Sequence, residues 1–250
     1  MATAGASRGS GPERAWVAHL PLQGEVTLDA EESAHLVRVR RVAAGDEVVL
    51  FDSSGLTRRA RLRTADARAA CLEVLAEASD RRPARALVVA SSIPEPSRAD
   101  DLVEGLAWLG VERWVPLRCA RTPAGREDLP ARRAARWERV AREAAKGNGC
   151  ARMLRVEPVR DLAALVDGLP PCGAVLLDPD PQAPRLLGWL GQRAPGADLP
   201  WLLVGPEGGF VDAEVARARE AGVPTVQLGA TALRVEQAAL AAAAQALGLA

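Results

Sequence analysis

The sequence predicts an α/β protein in which a parallel sheet follows a small β-barrel. Short β-like runs separated by turn residues extend from Trp16 to about residue 76, which is typical of a small barrel. Beyond Pro83 strands alternate with helices, and this favours a parallel sheet covered on both faces. A glycine-rich turn at residues 205–209 joins a buried strand to a helix. The expected segments are a disordered N-terminus at residues 1–13, the barrel at 14–80 and the α/β domain at 84–250.

The predicted barrel contains five strands and one short helix. Asp29 is the expected N-cap of the helix, since its carboxylate can accept a hydrogen bond from a first-turn amide. Glu31 and Glu32 follow in that turn, where the helix dipole favours acidic residues. Residues 79–83 are predicted to form a linker. The predicted strands are residues 16–20, 25–28, 48–51, 56–62 and 70–76.

The α/β domain opens with a strand and a helix that Ser97 is expected to cap and Gly110 to end. An amphipathic helix follows at residues 132–145, with Ala135, Val140 and Ala144 expected on its inner side. The other predicted strands are residues 86–90, 111–117, 174–177, 201–204 and 225–228. The other predicted helices are residues 98–109, 186–190, 212–221 and 236–247.

The composition excludes several classes of function. The formal net charge is zero, so no global charge favours nucleic acid. The four cysteines are widely spaced, without a Cys/His cluster, which argues against structural zinc and is consistent with a reduced cytosol. No apolar run approaches the roughly 20 residues that span a bilayer. We therefore expect a cytoplasmic protein with no metal and no membrane partner.

The glycine-rich turn is the first candidate site. Backbone N–H groups and a helix N-terminus converge where a strand, a glycine turn and a helix meet. A second such turn follows at Leu228-Gly229, before Leu233-Arg234-Val235-Glu236. The chain lacks a phosphate-loop motif and a dinucleotide-binding fingerprint. A Ser-His-Asp triad is not expected either, because the two histidines, His19 and His35, lie in the N-terminal part and there is no G-x-S-x-G motif. The common nucleotide-binding and hydrolase functions are therefore not predicted.

These turns resemble the signature of a known family. The ribosomal RNA small subunit methyltransferase E family, of the SPOUT class, carries paired motifs similar to Gly205-Pro206-Glu207-Gly208-Gly209-Phe210 and Leu228-Gly229-(x)3-Leu233-Arg234-x-Glu236. Upstream, residues 35–41, Gly45-Asp46 and Phe51-Asp52-x-x-Gly55 are similar to its PUA-like RNA-binding domain. Leu109-Gly110-Val111, Pro116 and Arg121 resemble its middle segment. The resemblance spans about residues 16–247.

The resemblance implies an S-adenosylmethionine-dependent enzyme that methylates N3 of a uridine in small-subunit (16S) ribosomal RNA. It also implies a C-terminal trefoil knot and a homodimer. No metal is required, because the sulfonium already makes the methyl group electrophilic. The protein positions the acceptor in line and manages one proton. The implied cofactor-binding residues are Leu177, Asp178, Gly205, Pro206, Glu207, Gly208, Gly209, Leu228, Gly229 and Leu233.

Arg234 and Glu236 are the implied catalytic residues. Arg234 could stabilise negative charge on the base or hold a phosphate, and Glu236 could orient Arg234 or accept a proton. Alternatively, the two residues form an ion pair that caps the last helix.

A local excess of arginine suggests an RNA-binding surface in the barrel. Residues 38–68 contain eight arginines and four acidic residues, which favours phosphate contact. The alternative is an ordinary solvated face, and His35 is interpreted as a packed histidine. The candidate RNA-binding residues are Arg38, Arg41, Arg58, Arg59 and Arg61.

Several residues depart from the family pattern, mainly on the acceptor side. Val235 and Gln237 replace two threonines, and Lys146-Gly147 replaces a Glu-Gln pair. Val211 replaces a helix-opening serine, so that Asp212 is expected to cap that helix. Gly105 and Trp108 replace a lysine and a glutamate. These differences leave two alternatives: a SPOUT methyltransferase with another acceptor, either a different RNA position or a small molecule, and a non-catalytic RNA-binding paralogue.

Overall fold

The computed structural model describes residues 12–78, 85–150, 152–170, 173–194, 196–229 and 231–248. The chain divides into two compact units, one of residues Met1–Arg82 with Ala145–Met153, the other of Pro83–Ala144 with Leu154–Ala250. The predicted linker and residues 1–11 lie outside the described residues. Glu13, which was assigned to the disordered terminus, accepts hydrogen bonds at 2.5 and 2.7 Å from the Arg40 guanidinium.

The first unit is built on a five-stranded sheet with the order β1-β3-β4-β5-β2. β1 and β3 pair in parallel and the other neighbours are antiparallel. Alternate residues such as Leu50, Ala60, Leu62 and Leu72 point into one apolar core, as the period of a strand requires. The strands are β1 (Arg14–Trp16), β2 (Gly24–Thr27), β3 (Glu47–Phe51), β4 (Thr57–Thr64) and β5 (Cys71–Glu77).

Four of these strands confirm the sequence prediction within two residues, and the first strand corrects it. The chain leaves β3 after Val17, whose N–H donates to Phe51 O at 3.0 Å. Leu20 N–H instead donates to a carboxylate oxygen of Asp52 at 3.3 Å. The predicted strand at residues 16–20 therefore begins two residues too late and ends four residues too late.

The short helix of the first unit, α1 (Ala30–Ala34), begins as predicted. Asp29 Oδ1 accepts the Glu32 N–H at 2.8 Å. The helix continues directly into a π-helical turn, His35–Val39, which no sequence pattern predicted. Arg41 then adopts φ 58°, a left-handed conformation that is uncommon for a non-glycine residue.

The second unit contains a seven-stranded parallel sheet with the order β12-β10-β11-β6-β7-β8, and β9 also pairs with β7. Its strands are β6 (Val88–Ser92), β7 (Arg113–Arg118), β8 (Arg155–Val156), β9 (Arg160–Asp161), β10 (Ala174–Leu177), β11 (Trp201–Val204) and β12 (Thr225–Val226). Its helices are α2 (Pro96–Trp108), α3 (Ala131–Asn148), α4 (Leu162–Asp167), α5 (Leu186–Leu190), α6 (Asp212–Glu220) and α7 (Val235–Gly248), and the last residues of α3 group with the first unit.

Helices cover both faces of this sheet, which confirms the predicted architecture. On one face, residues of α2, α3, α5 and α7 pack with Val89, Val175 and Leu202. On the other face, residues of α4 and α6 pack with Ala90 and Leu176. Because successive strand residues point to opposite faces, the neighbouring strands β10 and β11 are apolar throughout, as expected where both faces are covered.

Three local predictions in this unit are wrong. Helix α2 begins after Glu95 with Pro96 in its first turn, so Ser97 is not the cap; proline is well suited to this position because it lacks an N–H. Val211 is the N-cap of α6 and its N–H donates to Glu214 Oε2 at 2.9 Å, so Asp212 is helical.

The inner face of helix α3 is confirmed in part, because Ala144 is buried and Val140 packs against the core, but the placement of Ala135 is wrong. Trp137, Ala141 and Ala144 are buried, whereas Ala135 is exposed and Val140 is half-buried. The Trp137 ring packs edge-on against Trp114, with the ring centroids 4.9 Å apart, and this large contact sets the rotation of the helix. Strands β8 and β9 and helix α4 were not predicted, because segments of two to six residues are too short to show a period. Within the described residues, every helix is too short or too polar to cross a membrane.

Candidate functional site

A pocket of about 230 Å³ lies at the carboxyl ends of β10, β11 and β12. These three strands are neighbours in the sheet, so the loops that follow them meet at one edge. This edge is where open parallel sheets place ligands. The lining comes from residues 177–179, 204–210, 228–229 and 231–233, and from the first turn of α7.

All ten residues proposed from the sequence as cofactor-binding line this pocket: Leu177, Asp178, Gly205, Pro206, Glu207, Gly208, Gly209, Leu228, Gly229 and Leu233. Pro179, Thr231 and Ala232 also line the pocket, and they belong to the cofactor loops that the family resemblance implies, 177–179 and 228–233. The sequence prediction missed the other lining residues, which are Val204, Phe210, Val235 and Ala238. Val235 and Ala238 could have been found from helical periodicity, since residues three apart share a face. The walls are therefore mostly aliphatic side chains and glycine-rich backbone.

The shape of the glycine loop depends on glycine at two positions, one that leaves little room for a side chain and one with a left-handed backbone. A Cβ on Gly205 would lie 3.0–3.1 Å from the ring of Phe210, which is itself buried. Gly209 has φ 72°, which favours glycine. Its N–H donates to Pro206 O at 2.8 Å and closes the turn.

The other two pocket loops are held by side-chain amides and carboxylates. Asp178 Oδ1 accepts the Asp180 N–H at 3.0 Å, so Asp178 shapes its own turn. Gln227 Nε2 donates to Ala183 O at 2.7 Å and to Pro181 O at 3.2 Å. These bonds attach the loop after β10 to the chain that follows β12.

Arg234 and Glu236 lie outside the pocket lining, and one is exposed whereas the other is buried. Arg234 is exposed, and it forms no ion pair within the part of the chain that the structure describes. Glu236 is 7% exposed; its Oε1 lies 3.9 Å from Arg98 Nε and its Oε2 has no hydrogen-bond partner among the described residues. The alternative in which these two residues pair to cap the last helix is therefore not what the structure has.

Gln237 supplies the cap instead. Its Oε1 accepts the Arg234 N–H at 3.2 Å, and Ala238 N–H donates to Arg234 O at 2.8 Å. A glutamine at the third helical position that binds the N-cap amide is half of a capping box. The departure from the family pattern at Gln237 thus has a structural role at the start of α7.

The five arginines proposed as RNA-binding fall into two groups. Arg58 is buried and pairs with Glu77 at 3.2 Å. Arg59 and Arg61 pair with Glu47 at 3.6 and 2.9 Å, since the register of β3 and β4 places Glu47 opposite Arg61.

Arg38 and Arg41 form the second group. They lie in and just after the π-helical turn and are exposed. Among the described residues neither has an ion-pair partner. They are therefore the members of the proposed set that present uncompensated charge, and His35 in the same turn is half-buried.

Two other kinds of chemistry could accompany the pocket, metal binding in the described part of the chain and nucleophilic attack by the buried Cys119. It contains no group of three or more residues suited to hold a metal ion. Burial, with a smaller contribution from Glu214, raises the pKa of the Cys119 thiol to about 12. A thiol attacks as the thiolate, so Cys119 is not a nucleophile near neutral pH.

Two family profiles match the chain. One, described as an RNA methyltransferase domain, covers residues 81–247. The other, described as an RNA methyltransferase PUA domain, covers residues 28–75. The pocket lies within the first match and the exposed arginines of the π-helical turn within the second.

Similar proteins and structures carry related names. A solved ribosomal RNA small subunit methyltransferase E from Neisseria gonorrhoeae, bound to S-adenosyl methionine, is 27% identical with a TM-score of 0.81, covering 94% of this chain and 96% of that one. A probable rRNA-methyltransferase from Porphyromonas gingivalis is 28% identical with a TM-score of 0.75, covering 89% and 92%. The ribosomal RNA small subunit methyltransferase E of Mycobacterium bovis is 30% identical over 232 residues, 90% of this chain and 87% of the relative. The first profile spans well over half of the chain and the M. bovis relative matches most of it, so this protein belongs to the ribosomal RNA small subunit methyltransferase E family.

Proposed function

We propose that this protein transfers the methyl group of S-adenosylmethionine to N3 of a uridine in 16S ribosomal RNA. The observation that carries the proposal is the pocket at the ends of β10, β11 and β12, which gathers all ten candidate cofactor residues. Family membership supplies the reaction class, and the similar N. gonorrhoeae structure is bound to S-adenosyl methionine.

The pocket residues fit an adenosine-containing cofactor. Leu177, Val204 and Leu228 offer aliphatic surface for a flat, largely apolar ring. A Cβ on Gly209 would project into open space, with no atom within 4 Å, so glycine leaves backbone there for a ligand to approach. The bound cofactor supplies an electrophilic methyl group, and the residues of the chain bind and orient it.

The chemistry at the acceptor assigns Arg234 and Glu236 distinct tasks. Uracil N3 loses its proton as it attacks, so negative charge develops on the base. The exposed Arg234 guanidinium is available to stabilise that charge or to hold a neighbouring phosphate. Glu236, buried near Arg98 with one oxygen unpaired among the described residues, is the candidate proton acceptor.

The RNA-binding part of the proposal is assigned to residues 14–80 and catalysis to residues 84–250. Arg38 and Arg41 are the favoured phosphate contacts, because the β4 arginines are already paired with glutamates. We further propose that the C-terminal domain is tied in a trefoil knot, that the protein acts as a homodimer, and that it acts in the cytoplasm without a metal.

Two measurements test this function. Calorimetric titration should show S-adenosylmethionine binding, and absence of binding at millimolar cofactor would exclude both enzymatic alternatives and leave the RNA-binding paralogue. Mapping of methylated uridines in small-subunit RNA from a deletion strain should show loss of one N3-methyluridine. If that modification persists and the strain encodes no second family member, the acceptor is a different one.

A further inference from the structure

The chain segment between β7 and α3 lies against the glycine loop of the pocket. Arg121 Nη1 donates to Gly208 O at 2.6 Å and to Phe210 O at 3.4 Å. Arg126 Nη1 pairs with Glu207, at 3.0 Å from Oε1 and 3.3 Å from Oε2. Two arginines of the segment between β7 and α3 thus contact three residues of the glycine loop. We call this set of contacts the arginine clamp.

The segment that presents the clamp is itself fixed. Glu214 accepts the Ala120 N–H through Oε1 at 2.7 Å and the Val211 N–H through Oε2 at 2.9 Å. Cys119 N–H donates to Thr122 Oγ1 at 2.8 Å. Arg121 therefore projects from an ordered turn that is attached to the start of α6, immediately after the glycine loop.

The glycine loop needs such external contacts. Glycine loses more backbone freedom on ordering than any other residue, and the loop has two adjacent glycines. Hydrogen bonds from a charged guanidinium are stronger than neutral ones. The Arg126 side chain is 18% exposed, so solvent screens its ion pair less than an open surface pair.

The identity of Gly208 fits the same arrangement. A Cβ at this position would lie 3.2 Å from Arg121 Cδ, closer than most real contacts. Glycine lets the arginine stem lie directly on the loop, where its Nη1 reaches two carbonyl oxygens. The clamp and the glycine are therefore matched to each other.

We propose that Arg121 and Arg126 are positioning residues that hold residues 205–210 in the shape that receives the cofactor. The inference rests on the proposed function, since it takes S-adenosylmethionine as the ligand of this pocket. Neither arginine lines the pocket, so both act through the loop.

The main test replaces Arg121 by methionine, which keeps an unbranched apolar stem over Gly208 and removes the donors. The matched control is Arg219→Met, because Arg219 is exposed on α6 and has no ion-pair partner among the described residues. We expect the Kd for S-adenosylmethionine to rise about tenfold in Arg121→Met, as for the loss of hydrogen bonds to a charged group, and to stay within twofold in the control. The turnover at saturating cofactor should change less than KM, and Arg121→Lys should restore part of the affinity.

Hydrogen–deuterium exchange of residues 205–210 without cofactor provides a second readout. Faster exchange in Arg121→Met than in the control supports the clamp, and unchanged exchange with a Kd within twofold of wild type overturns it. Should wild-type protein bind no cofactor, the proposed function fails, and the exchange data alone decide whether the arginines hold the loop. Arg126→Met, which removes only the ion pair with Glu207, gives the same comparison if Arg121→Met does not fold.

Discussion

The pocket of the second unit and the basic surface of the first unit present polar groups in different ways. The pocket uses loop backbone, fixed by the strand ends that precede it and by the glycines within it. The basic surface uses long side chains, and its members differ in what lies across from them. Arg59 and Arg61 share Glu47, whereas Arg38 and Arg41 have no ion-pair partner among the described residues.

The difference shows what each kind of site can tolerate. The glycine loop packs closely against Phe210 and against Arg121, so a small added volume there changes the shape of the pocket. A surface of arginines changes by one charge at a time, and a charge already paired with a carboxylate contributes little to an incoming phosphate. Large, all-or-none effects are therefore expected at the pocket and graded effects at the surface.

The largest effect on stability is expected at a buried ion pair of the first unit, which belongs to neither the pocket nor the basic surface. Lys146 Nζ lies 2.5 Å from Glu32 Oε1, and both side chains are less than 10% exposed. Glu32 also accepts the Trp16 N–H at 3.2 Å. Glu32→Ala leaves a buried cation without this partner, and we expect unfolding free energy to fall by about 3–5 kcal/mol.

Chemical denaturation of Glu32→Ala and of the control Glu31→Ala measures this cost. Glu31 is exposed in the same helical turn, so its loss should cost less than about 1 kcal/mol. Equal costs for the two variants would show that the buried pair is not what stabilises this part of the unit.

The second effect concerns catalysis beside the pocket. Arg234→Ala should lower kcat by about 10²–10³-fold, as for loss of a group that stabilises transition-state charge. Because Arg234 does not line the pocket, the Kd for S-adenosylmethionine should stay within a few fold. Steady-state kinetics and calorimetry on the same preparation separate these effects, and a parallel loss of affinity would make Arg234 a structural residue.

The third effect tests the sensitivity of the glycine loop. In Gly205→Val the new side chain meets the Phe210 ring, which already lies 3.0–3.1 Å from the Cβ position. Overpacking of this kind costs about 1–3 kcal/mol. The free loop can relieve the clash by shifting, and a return to the shape that receives the cofactor restores it, so cofactor affinity should fall by up to about 5- to 150-fold. The control is Gly188→Val in α5, where a Cβ meets no atom within 4 Å. A similar fall in cofactor affinity in the control would show that crowding against Phe210 is not the cause.

The same contrast explains how much the sequence could predict. Strand, glycine turn and helix are local patterns, so β11 and its loop followed from consecutive residues, whereas the set of pocket residues followed from the resemblance to the family. The strands at residues 174–177 and 201–204 were predicted to the residue. Short elements without a period, such as β8 and β9, could not be predicted in this way.

Features that depend on tertiary neighbours were beyond the sequence. The excess of arginine over residues 38–68 can be read from the sequence, but which of these arginines form ion pairs cannot. The pairing of Arg58 with Glu77, for example, depends on the register of β4 and β5. The burial of Glu236 beside Arg98 depends on how α7 packs against α2. Ala135 of α3 was wrongly predicted to face the core, because the sequence does not show that Trp137 packs on Trp114 and so fixes the orientation of the helix.

The smallest effect is expected at the basic surface, where unpaired and paired arginines can be compared directly. Arg38→Gln with Arg41→Gln removes two unpaired charges and should weaken binding of small-subunit RNA by about tenfold at most. Each lost phosphate contact should also reduce the slope of log K against log salt concentration by about 0.7 for single-stranded RNA, or about 1–2 in total. The control, Arg59→Gln with Arg61→Gln, also removes two positive charges, but both are already paired with Glu47. It should therefore leave the slope nearly unchanged. If the control lowers the slope as much as the test variant, pairing with Glu47 does not prevent the β4 arginines from contacting RNA phosphates. Paired and unpaired arginines would then contribute equally to RNA binding.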